Sequence, residues 1–295
     1  MNRGSETYFA TGIGEAMRLH GKTALVTGST SNIGRAVAVA FGREGAHVVV
    51  SGRSAQRGAE VVEEIRAPGG TADFVAADLD GSRASSAALA DEATRVLGGR
   101  VDVLVNNAGI YPAASTVETD EETFDRVYSV NVKAPFFLTA AIAPAMVARG
   151  DGAIINLGSW IARLGIPVGA LYSSTKGAVE TLTRAWAAEF GPSGVRVNAI
   201  SPGVVRSVPP EGADLAEVMM RGTPAGASGR PDAIAHAAVY LASDEATFVH
   251  GTVVDVDGGR VGVAVIASGG APPNGSGLAS QRQMPPKPVG AGGGG

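Results

Sequence analysis

Two residues carry the first chemical signal, Tyr172 and Lys176, in the stretch Leu171-Tyr-Ser-Ser-Thr-Lys-Gly177. Four residues apart on a helix, their side chains share one face. A phenol is a weak acid near neutral pH, with an ordinary pKa of about 10. A neighbouring ammonium favours the phenolate and brings that pKa toward working range. One turn of helix can therefore carry a proton donor that also serves as a base. The spacing alone is common on protein surfaces, where it marks only a solvated pair, so the surroundings decide. Ser159 follows the apolar run Ala153-Ile-Ile-Asn-Leu157, which reads as a buried strand. It would stand at the C-terminal end of that strand, the edge at which open parallel sheets bind ligands. Asn131, in Ser129-Val-Asn-Val-Lys133, adds a fourth polar group.

These groups are far apart in sequence and need a scaffold that brings them to one edge. Thr23-Ala-Leu-Val-Thr27 reads as a short buried strand. It runs into the turn Gly28-Ser-Thr-Ser-Asn-Ile-Gly34 and the helical pattern Arg35 to Glu44. A strand, a glycine-bearing turn and a helix N-terminus together make an anion site from backbone N–H groups and the helix dipole. The alternation then repeats. Strands are expected at 46–50, 71–76, 101–105, 153–157, 195–200 and 252–256. Helices are expected at 60–67, 82–97, 120–149, 172–190 and 231–243. Pro135 and Pro144 should bend the longest helix or mark a local irregularity. Alternating strands and helices predict an α/β fold, a doubly wound (Rossmann) parallel sheet of about seven strands in one domain.

With that frame in place, Asn131, Ser159, Tyr172 and Lys176 resemble the catalytic tetrad of the short-chain dehydrogenases/reductases, in the same order and spacing. The likeness runs from about Gly21 to Val265 and extends to 3-oxoacyl-thioester reductases and related ketone and sugar dehydrogenases. It implies reversible hydride transfer between a nicotinamide dinucleotide and a carbonyl/alcohol pair. Tyr172 would be the proton donor, and Ser159 would orient the reacting oxygen. Lys176 would lower the Tyr172 pKa and hold the nicotinamide ribose, while the Asn131 carbonyl would hold a water. The turn resembles the family's Thr-Gly-x-x-x-Gly-x-Gly. Asn32 stands where the middle glycine belongs, which puts cofactor affinity in question and leaves the fold intact. Asn tolerates positive φ better than other non-glycine residues. By the same resemblance, Gly28, Ser29, Ser31, Asn32, Ile33 and Gly34 would hold the pyrophosphate. Asp78 would meet the adenine beside Leu79. Asn107, Ala108 and Gly109, after Asn106, would border the adenosine ribose. Pro202, Gly203, Val205 and Ser207 would lie by the nicotinamide, with the Ser207 hydroxyl on its carboxamide. A substrate lid is expected over about 204–229. It would include a short helix over 214–221, with Met219 and Met220 facing the substrate.

The second strand ends at Ser51-Gly52-Arg53-Ser54. Chains that bind NAD carry a carboxylate near this point for the ribose hydroxyls. Here Gly52 takes that place, Arg53 follows, and no carboxylate occurs from Ser51 to Ala55. A cation without a carboxylate suits a 2′-phosphate. The expected cofactor is NADP(H), with NAD(H) the alternative. Serine hydroxyls at Ser29 and Ser51 could add donors.

The 295-residue chain has a net charge of −4 and no cysteine. Nothing basic suggests a nucleic-acid partner, and disulfides, thiol nucleophiles and cysteine metal sites are excluded. Four scattered histidines predict no metal site. No apolar run approaches the roughly 18 residues of a membrane span. The N-terminus lacks a secretory pattern, so a cytoplasmic protein with no membrane partner is expected. Residues 1–20 read as an N-terminal extension, 21–265 as the catalytic domain, and 266–295 as a Gly/Pro-rich tail too poor in apolar surface to order. The resemblance further implies a homo-oligomer, a tetramer, with contacts at the Tyr172 helix and near the last strand. Two other readings stand beside this one. Ser173-Ser-Thr-Lys176 matches the acylating Ser-x-x-Lys, without its companion Ser-Asp-Asn or Lys-Thr-Gly. A non-catalytic nucleotide-binding or scaffold protein of the same fold is the other, motivated by Asn32.

Overall fold

The computed structural model describes residues 17–264 apart from 113, 168 and 208–214. The expected tail, the extension before Met17 and the start of the expected lid helix at Asp214 lie outside the described residues.

Seven parallel strands form one sheet: β1 (Thr23–Val26), β2 (His47–Gly52), β3 (Thr71–Ala76), β4 (Val103–Asn106), β5 (Gly152–Leu157), β6 (Val195–Pro202) and β7 (Val253–Val256). Their order is β3-β2-β1-β4-β5-β6-β7. Every residue of β1, β4 and β5 is buried. Helices cover both faces, so these strands lack polar/apolar alternation. Successive side chains enter opposite layers. Ala24, Val26, Val48 and Val50 join one core with α1 (Asn32–Arg43), α2 (Ala55–Arg66) and α8 (Pro231–Ala242). Leu25 and Val49 join the other, with α3 (Arg83–Val96), α5 (Ala134–Arg149) and α6 (Ala170–Phe190). β4 begins two residues later than its apolar pattern suggests. The Asp102 carboxylate accepts hydrogen bonds from the Thr23 amide and hydroxyl there, tying β1 to the start of β4.

The long helical pattern over 120–149 is two helices. A π-helical turn, Ser129–Lys133, separates α4 (Glu121–Tyr128) from α5. Pro135 explains why the regular ladder fails at this point. It carries no amide hydrogen, so the α-spaced bond to the Asn131 carbonyl cannot form. The run Glu121–Arg149 is also long and apolar enough, by composition alone, to cross a membrane. Its inner face instead fills the sheet's core, with Leu138 and Met146 fully buried.

Candidate active site

The order reverses between β1 and β4, the switch point at which open α/β sheets bind ligands beyond the strands' carboxyl ends. A cavity of about 850 Å3 lies there. One end is lined by Arg53, Arg57 and Asp78, the middle by the Gly28–Gly34 turn, and the other end by Ser159, Tyr172 and Lys176. Its size suits a bound dinucleotide.

Close packing builds the turn. A Cβ on Gly28 would lie 2.8 Å from the Ala108 Cα, and one on Gly34 would lie 2.4 Å from both Asn107 Nδ2 and the Gly28 oxygen. Asn107 Nδ2 donates to the carbonyls of Thr27 (2.8 Å) and Gly28 (3.1 Å). Its side chain thus holds the turn while Asn107 lines the cavity. Asn32 has φ 46°, and among the described residues it is the one non-glycine residue with positive φ. The asparagine therefore does adopt the left-handed backbone that the turn is expected to ask of it. Its Oδ1 accepts from the Ser207 hydroxyl at 3.3 Å, so Ser207 is tied to the turn. The side chain of Ser31, the N-cap of α1, makes no capping hydrogen bond. Ser54, Ser82 and Asp120 do cap α2, α3 and α4. Leaving first-turn N–H groups free of a side-chain acceptor beside a cavity is what an anion site requires. The residues present fit a dinucleotide.

Several expected contacts are placed differently. Ser29 is fully buried and does not line the cavity. Its hydroxyl donates to the Val26 carbonyl at 2.7 Å and accepts from the Ser51 amide at 2.9 Å, which leaves it unable to serve a phosphate. Asn106, which is not among the expected contacts, is a sheet residue, donating through Nδ2 to Asn156 Oδ1 at 2.9 Å. Met219 and Met220, on α7 (Leu215–Met220), do not line the cavity. Met220 is buried and lies against Gly258. The cavity also has lining residues that sequence reasoning missed: Thr30, Arg57, Asp80 and Tyr111. Arg57 follows Arg53 by four residues, a spacing that could have flagged it. Tyr111 rests on Tyr172, with ring centroids 4.6 Å apart. Asp80 is engaged with its own loop, accepting from the Ser82 amide and the Ser85 hydroxyl. These bonds hold its carboxyl down at about 2.

At the catalytic end, Asn131, Ser159, Tyr172 and Lys176 arrive from the π turn, the end of β5 and the first turns of α6. The Asn131 side chain is buried and does not line the cavity. Its Oδ1 accepts from the Ile110 amide at 2.8 Å and its Nδ2 donates to the Ile110 carbonyl at 2.9 Å, fixing the segment after β4. Lys176 donates through Nζ to the Leu157 carbonyl at 2.7 Å and lies 5.5 Å from the centroid of the Tyr172 ring. The expected lowering of the Tyr172 pKa is not what this arrangement produces. Burial pushes the phenol up to about 12, opposed by the nearby Ser159 hydroxyl. Burial also pushes Lys176 down to about 8. With its ammonium bonded to a carbonyl, Lys176 contributes less to the phenol than desolvation does. Tyr172 is a protonated donor at neutral pH.

A seven-stranded doubly wound sheet, with a phenol, a hydroxyl and an ammonium at one end of a dinucleotide-sized cleft, defines a nicotinamide-dependent oxidoreductase. A family model described as enoyl-(acyl carrier protein) reductase matches residues 28–260. Among relatives, 3-oxoacyl-(acyl-carrier-protein) reductase of Thermotoga maritima is 36% identical over 248 residues, 83% of this chain and 100% of that one. Galactitol 2-dehydrogenase (L-tagatose-forming) of Cereibacter sphaeroides is 41% identical over 248 residues, 82% of this chain and 96% of that one. The solved short-chain dehydrogenase/reductase of Serratia marcescens is 31% identical with a TM-score of 0.76, covering 83% of this chain and 99% of that one. The chain belongs to the short-chain dehydrogenase/reductase family and is an oxidoreductase of carbonyl/alcohol pairs. These likenesses support the enzymatic reading over the scaffold one.

Proposed function

We propose that the protein reduces a carbonyl to an alcohol, or the reverse, with Tyr172 as proton donor and NADP(H) as preferred cofactor. The observation that carries this reading is the convergence of Ser159, Tyr172 and buried Lys176 on one wall of the cleft. Two hydroxyl side chains on one wall of the cleft suit a single substrate oxygen, which favours a carbonyl over an isolated C=C bond. When bound, the nicotinamide supplies or takes the hydride. Tyr172 gives its proton to the oxygen as negative charge develops there. Ser159 hydrogen-bonds the same oxygen and orients it. Lys176 keeps a positive charge near the phenol, so that the phenolate left behind is stabilised. The Asn131 carbonyl, whose α-spaced partner Pro135 carries no amide hydrogen, would hold a water that returns a proton. In the middle of the cleft, the first-turn amides of α1 and the Asn107–Gly109 segment hold the dinucleotide. Pro202, Gly203 and Val205 line the nicotinamide end, and Asp78 and Leu79 the adenine end.

Arg53 and Arg57 both line the cleft where the adenosine ribose would lie, which supports NADP(H). The relatives act, by their names, on a 3-oxoacyl carrier protein, galactitol and cyclopentanol. The substrate class is a ketone or secondary alcohol on such a skeleton. The reading includes a cytoplasmic location and self-association. An apolar groove of about 490 Å3 between α5 and α6, lined by Phe136, Phe137 and Leu182, is one face that a second copy would cover. The other is the edge strand β7 with fully exposed Phe248 nearby. The test is a panel of 3-oxoacyl thioesters, cyclic ketones and sugar alcohols assayed with each cofactor. Tyr172→Phe should lose turnover while still binding cofactor, and near-normal turnover by that variant would refute the mechanism.

A further inference from the structure

The turn after β7 docks the segment that follows α7. Gly258 and Gly259 have φ of 68° and 84°. A Cβ on Gly258 would come 2.7 Å from the Ala225 Cβ, and one on Gly259 would come 2.6 Å from Pro224 Cγ. The Ala225 amide donates to the Gly258 carbonyl at 3.1 Å. The Asp257 carboxylate locks this turn by accepting from the amides of Gly259 and Val261, each at 2.8 Å. Arg260 then reaches in two directions. Its Nη1 donates at 2.7 Å to the Met219 carbonyl, in the last turn of α7, where carbonyls lack helical partners. Its guanidinium lies over the Trp160 ring, 5.1 Å from the centroid. Trp160 is buried, directly follows Ser159, and opens the 3-10 turn Trp160–Ala162. The Ser159 hydroxyl caps that turn, accepting from the Ile161 amide at 3.4 Å. One planar cation thus spans α7 and the turn that carries Ser159.

We infer that Arg260 is a positioning residue that couples the seating of α7 to the orientation of Ser159. A planar guanidinium can stack on an indole and donate in its own plane at once, which an ammonium cannot. When α7 moves, the Met219 carbonyl moves, and the stacked guanidinium transmits that shift to Trp160 and its neighbour. The inference rests on the functional reading above for its effect on rate, and on the geometry alone for the coupling itself.

Arg260→Ala and Arg260→Lys, with the unmodified protein, would be followed by steady-state kinetics and by hydrogen exchange of segments 157–163 and 215–226. Expected for Arg260→Ala is a kcat at least about tenfold lower, with cofactor affinity within about twofold. Exchange should rise in both segments together. Arg260→Lys, which keeps the donor and loses the stack, should protect 215–226 and leave 157–163 exchanging fast, with kcat staying low. A kcat within twofold in Arg260→Ala, or faster exchange confined to 215–226, would overturn the coupling. If Arg260→Ala does not fold, Arg260→Lys alone decides, because an unmodified exchange rate at 157–163 in that variant removes the role of the stack. No turnover by the unmodified protein would defeat the functional reading only, and the exchange measurement would still support or overturn the coupling.

Discussion

Cofactor choice is the prediction for which the structure gives the most to work with. Arg53 precedes the Ser54 N-cap of α2 and Arg57 lies in its first turn, and both line the cleft beside Gly52. A charge-assisted hydrogen bond contributes about 1.5–3 kcal/mol. At about 1.4 kcal/mol per tenfold, Arg53→Ala should weaken NADPH binding roughly tenfold to hundredfold while NADH changes little. Arg53→Ala/Arg57→Ala should remove what preference remains. The converse change, Gly52→Asp, is less simple than the loop sequence suggests. A Cβ at Gly52 would lie 2.8 Å from Thr30 Cγ2 and 3.1 Å from Thr30 Oγ1. The carboxylate would therefore displace Thr30 from the turn unless room is made for it. Gly52→Asp/Thr30→Ser should shift preference toward NADH more cleanly than Gly52→Asp alone. Fluorescence titration of each dinucleotide, followed by kcat/KM with each, measures both effects at one fixed ionic strength. Equal affinities for the two cofactors in the unmodified protein, unchanged by removing both arginines, would refute the reasoning.

Lys176, held down to about 8 by burial, loses its charge as pH rises through that value. Carbonyl reduction should therefore fall above about pH 8, in a limb absent from the residual activity of Lys176→Met. Its folded pKa lies below the unfolded value, so the unfolded chain binds more protons between about 8 and the ordinary value of 10.5. This group's contribution to stability should rise with pH across that window, checked by urea unfolding of the protein and of Lys176→Met. Asn32→Gly removes a side chain from the phosphate turn and should tighten dinucleotide binding severalfold. Looser binding would show that the Asn32–Ser207 hydrogen bond helps to hold the cofactor. Gly34→Ala forces a methyl against Asn107 and the Gly28 carbonyl. It should destabilise the fold by about 1–3 kcal/mol, seen as a lower urea midpoint at unchanged slope.

The sequence by itself determined the strand and helix alternation, and with it the sheet and its switch point, because fully buried strands must be apolar along their whole length. It also placed Ser159 at a strand end and Tyr172 one helical turn from Lys176, since both follow from local periodicity. The proline in Ala134-Pro135 announced the break that became the π turn, because a missing amide is a property of the residue alone. Side-chain direction and solvation were decided elsewhere. Ser29 turns inward to the Val26 carbonyl, Thr30 stands against Gly52, and Met220 packs on Gly258. Each outcome depends on what another segment brings to that spot. The same holds for charge. Spacing alone suggests that Lys176 lowers the Tyr172 pKa. Only the packed structure shows Lys176 buried with its ammonium given to Leu157, and Tyr172 half-buried in the cleft wall, so that desolvation outweighs their mutual attraction.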